Sequence, residues 1–456
     1  MARAPKMAAV VVASSMLILT SCSSSSNNAG SSSSTTASAP ATSSVSASAA
    51  ISSSASSTSS GSTGAEPAYA AQTAAVITKI MKDNAIPGAA VVIKSPSKGD
   101  WSATFGTGTV GRDDPITLDD YFRIGSNTKT MTSTVILQLA QEGKLSLDDP
   151  IAKYRPGVPN GDNITIAQLS EMRSGLYNYS LDPAFNATLD NNPQKAWTPD
   201  ELLAIAFAHP IGFQPGAQFD YSNTNIVLLG LVIEQLTGMP AAEAFQQRIF
   251  TPLKMSHTSL PASTDASIRE PHPQGYMFGT NVSTLADAAL PPAEQTAAVA
   301  GTLKPNDVTD ANPSWTWTAG GGISTVDDLA VYVKALVGGG LLDAQMQKTR
   351  LDSIVPTDPA APEVGGYGLG IARFGRSLIG HDGQIPGYMT FMGYDPASDL
   401  TIVIATNLYA IPSGEGAALQ ILKGLVPIFY GPGTEVPGNP AAAPGETSGA
   451  ATSTGG

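Results

Sequence analysis

Ser126 and Lys129 stand three residues apart in Phe122-Arg123-Ile124-Gly125-Ser126-Asn127-Thr128-Lys129, just before the apolar run from Met131 to Gln141. The pattern predicts a helix from Ser126 to Glu142, closed by Gly143 where a left-handed cap suits glycine. Met131, Val135, Ile136, Leu137, Leu139 and Ala140 make it apolar nearly all round, as in a central buried helix. At that spacing the hydroxyl and the amine project from one helix face. A hydroxyl beside an amine, at the positive end of a helix dipole, suits nucleophilic attack and anion stabilisation. Ser95-Pro96-Ser97-Lys98 fits the same Ser-x-x-Lys string, but Pro96 and Gly99 predict a turn between strands there.

Two further stretches carry reactive side chains. Tyr221 and Asn223 follow the turn Phe213-Gln214-Pro215-Gly216, and two residues apart in an extended segment they point the same way. Taken alone, they read as a buried tyrosine and a helix-capping asparagine. His381-Asp382-Gly383-Gln384 lies where a strand signal meets glycines, and a glycine in a strand admits close approach of a ligand or a second backbone. Taken alone, it reads as an edge strand ending in a turn with a solvated histidine. The four histidines, His209, His257, His272 and His381, are scattered without ligand spacing, so neither a metal nor another cofactor is expected.

The elements that must position these residues are legible in outline. A helix is expected around Ala74 to Lys82, then a hairpin of strands at Ala89 to Lys94 and Trp101 to Phe105. Beyond the Ser126 helix, helices are expected at Ile166 to Met172, Pro199 to Ala208, Thr224 to Thr237 and Ala241 to Phe250. Gly320-Gly321-Gly322 feeds a capped helix over Asp327 to Leu336. Strand signals return at Ser377 to Gly380, Met389 to Tyr394 and Leu400 to Thr406, before a last helix from about Gly414 to Leu425. Strands at both ends with helices between predict an α+β fold: one antiparallel sheet built from both ends of the chain, with a helical subdomain inserted.

The chain has 456 residues, 42% of them apolar, which is ample for a large core. Its net charge of −13 argues against a nucleic-acid surface. Residues 1–21 begin with basic Arg3 and Lys6 and an apolar run from Met7 to Leu19, too short to span a bilayer, and read as an export signal. The end of that stretch, Leu19-Thr20-Ser21-Cys22, resembles a bacterial lipobox, in which the cysteine becomes a lipid-modified N-terminus. Cys22 is the only cysteine, so no disulfide can form within the chain. Residues 22–68 are rich in Ser, Ala and Thr and predict a flexible tether spanning roughly 35 Å as a random coil. One folded domain is expected over 69–430, followed by a Pro/Gly/Ala-rich disordered tail.

In order, Ser126-x-x-Lys129, Tyr221-x-Asn223 and His381-x-Gly383 resemble the motif triplet of penicillin-recognising serine hydrolases. That group includes class C β-lactamases, D-alanyl-D-alanine carboxypeptidases and family VIII esterases. The resemblance extends from about Gln72 to Leu425. It implies that Ser126 forms an acyl-enzyme and that Lys129 and Tyr221 share the general-base work, with Lys129 sustaining part of Tyr221 as phenolate. It implies that Asn223 orients Lys129 and binds the substrate amide, that His381 and Gly383 line the substrate, and that the backbone amides of Ser126 and Gln384 form an oxyanion hole. The β-lactamases of the group usually carry Lys-Thr/Ser-Gly at the third motif. Here His381-Asp382-Gly383 replaces it, which predicts a pH-dependent positive potential, a carboxylate in place of a hydroxyl, and poor hydrolysis of β-lactams. The expected protein is a monomeric, lipid-anchored, extracytoplasmic serine hydrolase acting on D-alanyl peptides of the cell wall or on small esters. The alternative is a catalytically silent relative that binds wall fragments.

Overall fold

The computed structural model describes residues 66–434; the Cys22 motif, most of the Ser/Ala/Thr stretch and the tail from residue 435 fall outside the described residues. In chain order the strands are β1 (Gly88–Lys94), β2 (Trp101–Gly106), β3 (Phe122–Arg123), β4 (Tyr276–Met277), β5 (Asn306–Asp307), β6 (Ile323–Ser324), β7 (Val355–Pro356), β8 (Gly365–Tyr367), β9 (Ala372–Phe374), β10 (Leu378–Ile385), β11 (Tyr388–Asp395) and β12 (Leu400–Thr406). Eight of them form one antiparallel sheet in the order β2-β1-β12-β11-β10-β9-β8-β7. Pairing of β1 with β12, from Ala89 opposite Thr406 to Lys94 opposite Thr401, joins the two ends of the chain.

Every residue of β11 and β12 is buried, so both faces of the sheet's centre are covered and these strands read as continuous apolar runs. Helices Ala70–Asp83 and Ala417–Tyr430 pack on each other, and the latter lies on β11 and β12. Helix Val326–Gly338 also packs on the central strands, and helix Asn127–Gln141 meets β10 and β11. The inserted helices include Ile166–Ser170, Pro199–Phe207, Asn223–Thr237 and Ala241–Phe245. Their ends follow from local chemistry: Thr165 with Gln168 and Thr198 with Glu201 form capping boxes, and Gly238 closes Asn223–Thr237 at φ +70°.

Two departures from expectation bear on the site. The strand expected at Ser377 to Gly380 continues to Ile385, placing His381 inside β10 opposite Met392 rather than at a strand end. The turn comes later, at Gly387 with φ +97°. The sheet also continues through β9, β8 and β7, short segments whose glycines gave no alternating pattern and which exist by pairing outward from β10.

Candidate active site

From Tyr121 to Leu139 every residue is buried except Ser126. The surrounding helix is held by hydroxyls more than its apolar pattern suggested. Thr128 donates to the Gly125 carbonyl (2.8 Å) and accepts from the Gly322 amide (3.0 Å), while Thr132 donates to the Thr318 carbonyl (2.7 Å). Thr130 shares a hydrogen bond with Tyr332 (2.9 Å), and Asn127 donates to Thr390 (2.6 Å) on β11. With these hydroxyls and the Asn127 amide paired to β11, to the 317–322 turn and to helix Val326–Gly338, the helix fixes Ser126 in place.

The turn before Ser126 lies directly on β10. Gly125 has φ +50°, and a Cβ there would sit 2.7 Å from the Gln384 amide nitrogen. On β10 itself, a Cβ on Gly383 would strike the Ile124 carbonyl. Two glycines facing each other let the backbones approach this closely, and the approach sets the Gln384 amide nitrogen against the Gly125 turn that leads into Ser126. The Gln384 side chain donates away from the site, to the Tyr409 carbonyl (3.0 Å).

Lys129 is fully buried, its Nζ 2.9 Å from Ser126 Oγ and donating to the Ala319 carbonyl at 2.6 Å. That carbonyl ends the turn Trp317–Ala319, just ahead of the triple glycine. Burial holds the amine down to about 7, with Asp382 opposing the drop. The Tyr221 ring covers the amine at 4.8 Å from Nζ to centroid. Burial, with Tyr367, Asp382 and Tyr179 nearby, raises the Tyr221 hydroxyl well above its ordinary range, and only Ser126 opposes this. These shifts run against the expected phenolate sustained by a lysine cation: burial favours the neutral form of the amine and the protonated form of the phenol alike.

Asn223 opens helix Asn223–Thr237, and its side-chain amide donates to Ser180 Oγ (3.1 Å). Asn178 brackets the motif, taking the Asn223 amide on Oδ1 (3.1 Å) and donating to the Tyr221 carbonyl (3.4 Å). Orientation of Lys129, expected from Asn223, comes instead from Ala319.

His381 departs furthest from expectation. It is fully buried, its Nδ1 lies 2.5 Å from the Asp382 carbonyl oxygen, and its Nε2 lies 3.1 Å from the Tyr367 hydroxyl. A neutral ring meets both needs, with Nδ1–H donating and Nε2 accepting. Burial drives its pKa down to about 3, the Lys129 charge adding to the drop. The expected pH-dependent positive potential from this histidine therefore has no basis near neutral pH, because desolvation outweighs what the hydrogen bond to the Asp382 carbonyl gives back. Asp382 is also buried, 2% exposed, with Oδ1 3.6 Å from His381 Nδ1. Tyr367, the Ala319 carbonyl, Asn178 and Ser180 were not singled out in the sequence. A Gly-Gly-Tyr-Gly stretch marks the first, and a backbone carbonyl has no residue signature. Ser95, the other Ser-x-x-Lys serine, is 1% exposed and takes a backbone hydrogen bond from Lys98 within its turn.

The match of this chain to known proteins agrees with that geometry. Residues 73–425 match the family described as Beta-lactamase. A D-stereospecific amidohydrolase from Streptomyces sp. is 32% identical, covering 78% of this chain and 98% of its own, with a TM-score of 0.65. D-amino acid amidase from Ochrobactrum anthropi SV3 is 26% identical, with coverages of 78% and 98% and a TM-score of 0.62. The putative penicillin-binding protein PbpX of Bacillus subtilis (strain 168) is 25% identical over 339 residues, 73% of each chain. With the family match running over most of its length, the chain belongs to the beta-lactamase family, as a serine hydrolase homologous to penicillin-binding-protein-like enzymes and D-amino acid amidases.

Proposed function

We propose that this protein hydrolyses amide bonds whose acyl side is a D-amino acid residue, through an acyl-enzyme on Ser126. The observation that carries the reading is Ser126 itself, the one residue of its buried segment that reaches solvent, with Lys129 Nζ 2.9 Å from its oxygen. Lys129 in its neutral form takes the Ser126 proton as Oγ attacks the carbonyl, a serine–lysine variant of triad chemistry. The backbone amides of Ser126 and Gln384 receive the oxyanion. The Tyr221 phenol, protonated and facing Ser126, relays the proton to the leaving nitrogen, and water then releases the acid.

The D-amino acid preference rests on likeness to the Streptomyces amidohydrolase and the Ochrobactrum amidase. Preference for an amide or ester over a free carboxylate rests on charge. Asp382 is the charged neighbour that acts on Lys129, and His381, held between the Asp382 carbonyl and the Tyr367 hydroxyl, adds no cation. A terminal D-Ala-D-Ala carboxylate would therefore meet no fixed positive partner in this cluster. Incubation with a D-amino acid amide, its L-enantiomer and a D-alanyl-D-alanine peptide tests the reading, with Ser126→Ala as control. Turnover of the D-amide that is lost in Ser126→Ala supports it; preference for the L-amide, or activity in Ser126→Ala, rejects it. Trapping of the acyl group on Ser126 separates this enzyme from a silent binder of wall fragments.

We also infer that Cys22 carries lipid and anchors the enzyme outside the cytoplasm, on the strength of Leu19-Thr20-Ser21-Cys22 after a short apolar run. Cys22→Ser should release the protein from membranes after a carbonate wash; retention would require another anchor.

A further inference from the structure

Behind Lys129 the backbone takes a shape that its residues do not favour. Trp317 opens the turn Trp317–Ala319 with φ +36°, a left-handed value that is costly for a bulky side chain and persists only where neighbours enforce it. The Trp317 ring lies where a side chain on residue 230 would begin: a Cβ on Gly230, in helix Asn223–Thr237, would sit 2.8 Å from Trp317 Cζ3. The Thr318 hydroxyl donates to the Ile226 carbonyl of the same helix (3.1 Å), and the Thr318 carbonyl accepts from Thr132 on the Ser126 helix (2.7 Å). Ahead of the turn, the Trp315 carbonyl accepts from the Tyr179 hydroxyl (2.6 Å). The turn is thus pinned between the helix that carries Lys129 and the helix that begins at Asn223. What it presents to the site is the Ala319 carbonyl, 2.6 Å from Lys129 Nζ.

A carbonyl only accepts, so an N–H of Lys129 must point at it. With that N–H fixed, rotation about the last bond of the side chain is fixed as well, and the lone pair of a neutral amine can face Ser126 Oγ, 2.9 Å away. Resting on the reading of Ser126 as nucleophile and Lys129 as base, we propose that Trp317 is a positioning residue for acylation: its ring, seated on Gly230, holds the strained turn that aims the Ala319 carbonyl at Lys129. As the Ser126 O–H bond breaks, its proton joins the Lys129 lone pair, the oxygen's electron pair forms the bond to the substrate carbonyl carbon, and the carbonyl π pair moves onto its own oxygen. The ammonium so formed keeps its N–H on Ala319, in a charge-assisted bond stronger than the one the neutral amine made. Aim before proton transfer and support after it come from one backbone oxygen, and Trp317 acts only through that oxygen.

Trp317→Ala removes the ring while leaving an unfavourable residue at φ +36°, so the turn relaxes and the carbonyl draws away from the amine. In single turnovers of a D-amino acid amide the maximal rate of acylation should fall about ten- to a hundred-fold, with the half-saturating concentration within about two-fold of wild type. Loss of the acceptor removes more support from the ammonium than from the amine, so the acidic limb of the rate should move to lower pH by roughly one unit. Trp317→Phe keeps a ring over Gly230 and should keep the wild-type limb and most of the rate. Tyr221, Tyr367, His381 and Asp382, the other titratable groups around the amine, are the same in every variant, so a moved limb reports the turn.

Thermal melts and acyl trapping on Ser126 accompany each profile. Where Trp317→Ala does not fold, Thr318→Val, which removes the hydrogen bond to Ile226 and keeps the bulk, takes its place with the same expected direction. A slower rate with an unmoved limb in a folded variant overturns the proposal, since a merely structural role predicts that result. An upward shift of the limb, unchanged kinetics, or a Trp317→Phe variant as impaired as Trp317→Ala overturns it equally. Failure of the wild type to trap acyl on Ser126 removes instead the reading on which the proposal rests, so the two failures are distinguishable.

Discussion

Lys129 shows how far the site has been shaped against stability. Its amine is held down to about 7 by burial, so between that pH and the ordinary lysine range the unfolded chain binds the proton that the folded chain does not. Stability therefore rises with pH across that window, and at and below neutral pH the folded state carries the cost of a buried amine. Lys129→Met keeps the length and removes the cost. We expect it to abolish acylation and to remove the part of the rise of stability with pH that comes from this amine, read from urea midpoints across the window. A pH dependence of stability that is the same in Lys129→Met and wild type would mean that the amine does not titrate there. In the wild type, acylation should fall as pH drops through about 7, where the base is protonated. Residue types and spacing singled out Ser126, Lys129 and Tyr221, and the fold brings the three side chains together. Their protonation was not legible, because burial of Lys129 and His381 depends on elements far apart in the chain, and desolvation reverses what a bare amine or imidazole suggests.

At the scale of elements, the site depends on how closely the Ser126 turn approaches β10. Gly383→Ala would drive a methyl into the Ile124 carbonyl, separating the residue 126 and residue 384 amides. We expect a loss of about 1 to 3 kcal/mol of stability, as overpacking gives. Loss of acylation should be about a hundred-fold or more, as for removal of an oxyanion donor. Gly143→Ala is the contrasting change: its φ of +71° makes alanine unfavourable, yet nothing lies within 4 Å, so stability should fall modestly and acylation stay intact. Equal effects of the two substitutions on acylation would show that the close approach is unimportant. The helices with strong local signals were legible: Pro199–Phe207 has its capping box and Asn223–Thr237 its closing glycine. Asn281–Ala286 was not: Thr280 and Ser283 cap it locally, but it runs for only six residues and distant Asp190 also holds the amides of Asn281 and Val282. β7, β8 and β9 escaped for a related reason, being two or three residues each and defined by their partners.

The whole molecule carries a net charge of −13, and near Ser126 buried Asp382 stands beside a histidine that burial keeps neutral. Both scales of electrostatics oppose an anionic substrate, but they differ in range. Repulsion by the overall charge acts across solvent and is screened within a Debye length of about 8 Å at physiological ionic strength. Asp382 acts inside an enclosed cluster where salt screens little. Read by initial release of the N-terminal residue, a D-dipeptide with a free carboxylate and the same dipeptide as its amide are cleaved at the same bond and differ there only in terminal charge. We expect the amide to have kcat/KM higher by roughly ten-fold or more at low salt, given a like-charge pair in a partly desolvated site. Added salt should narrow the gap without closing it, the residue of the difference being the local part. Asp382→Thr should then shrink that salt-resistant part while leaving the salt-sensitive part in place, because a single buried charge contributes little to the field at a distance. Equal kcat/KM for acid and amide at all salt concentrations would mean that the scissile bond lies where a terminal carboxylate reaches a cation outside the cluster, and that the site does not select on terminal charge.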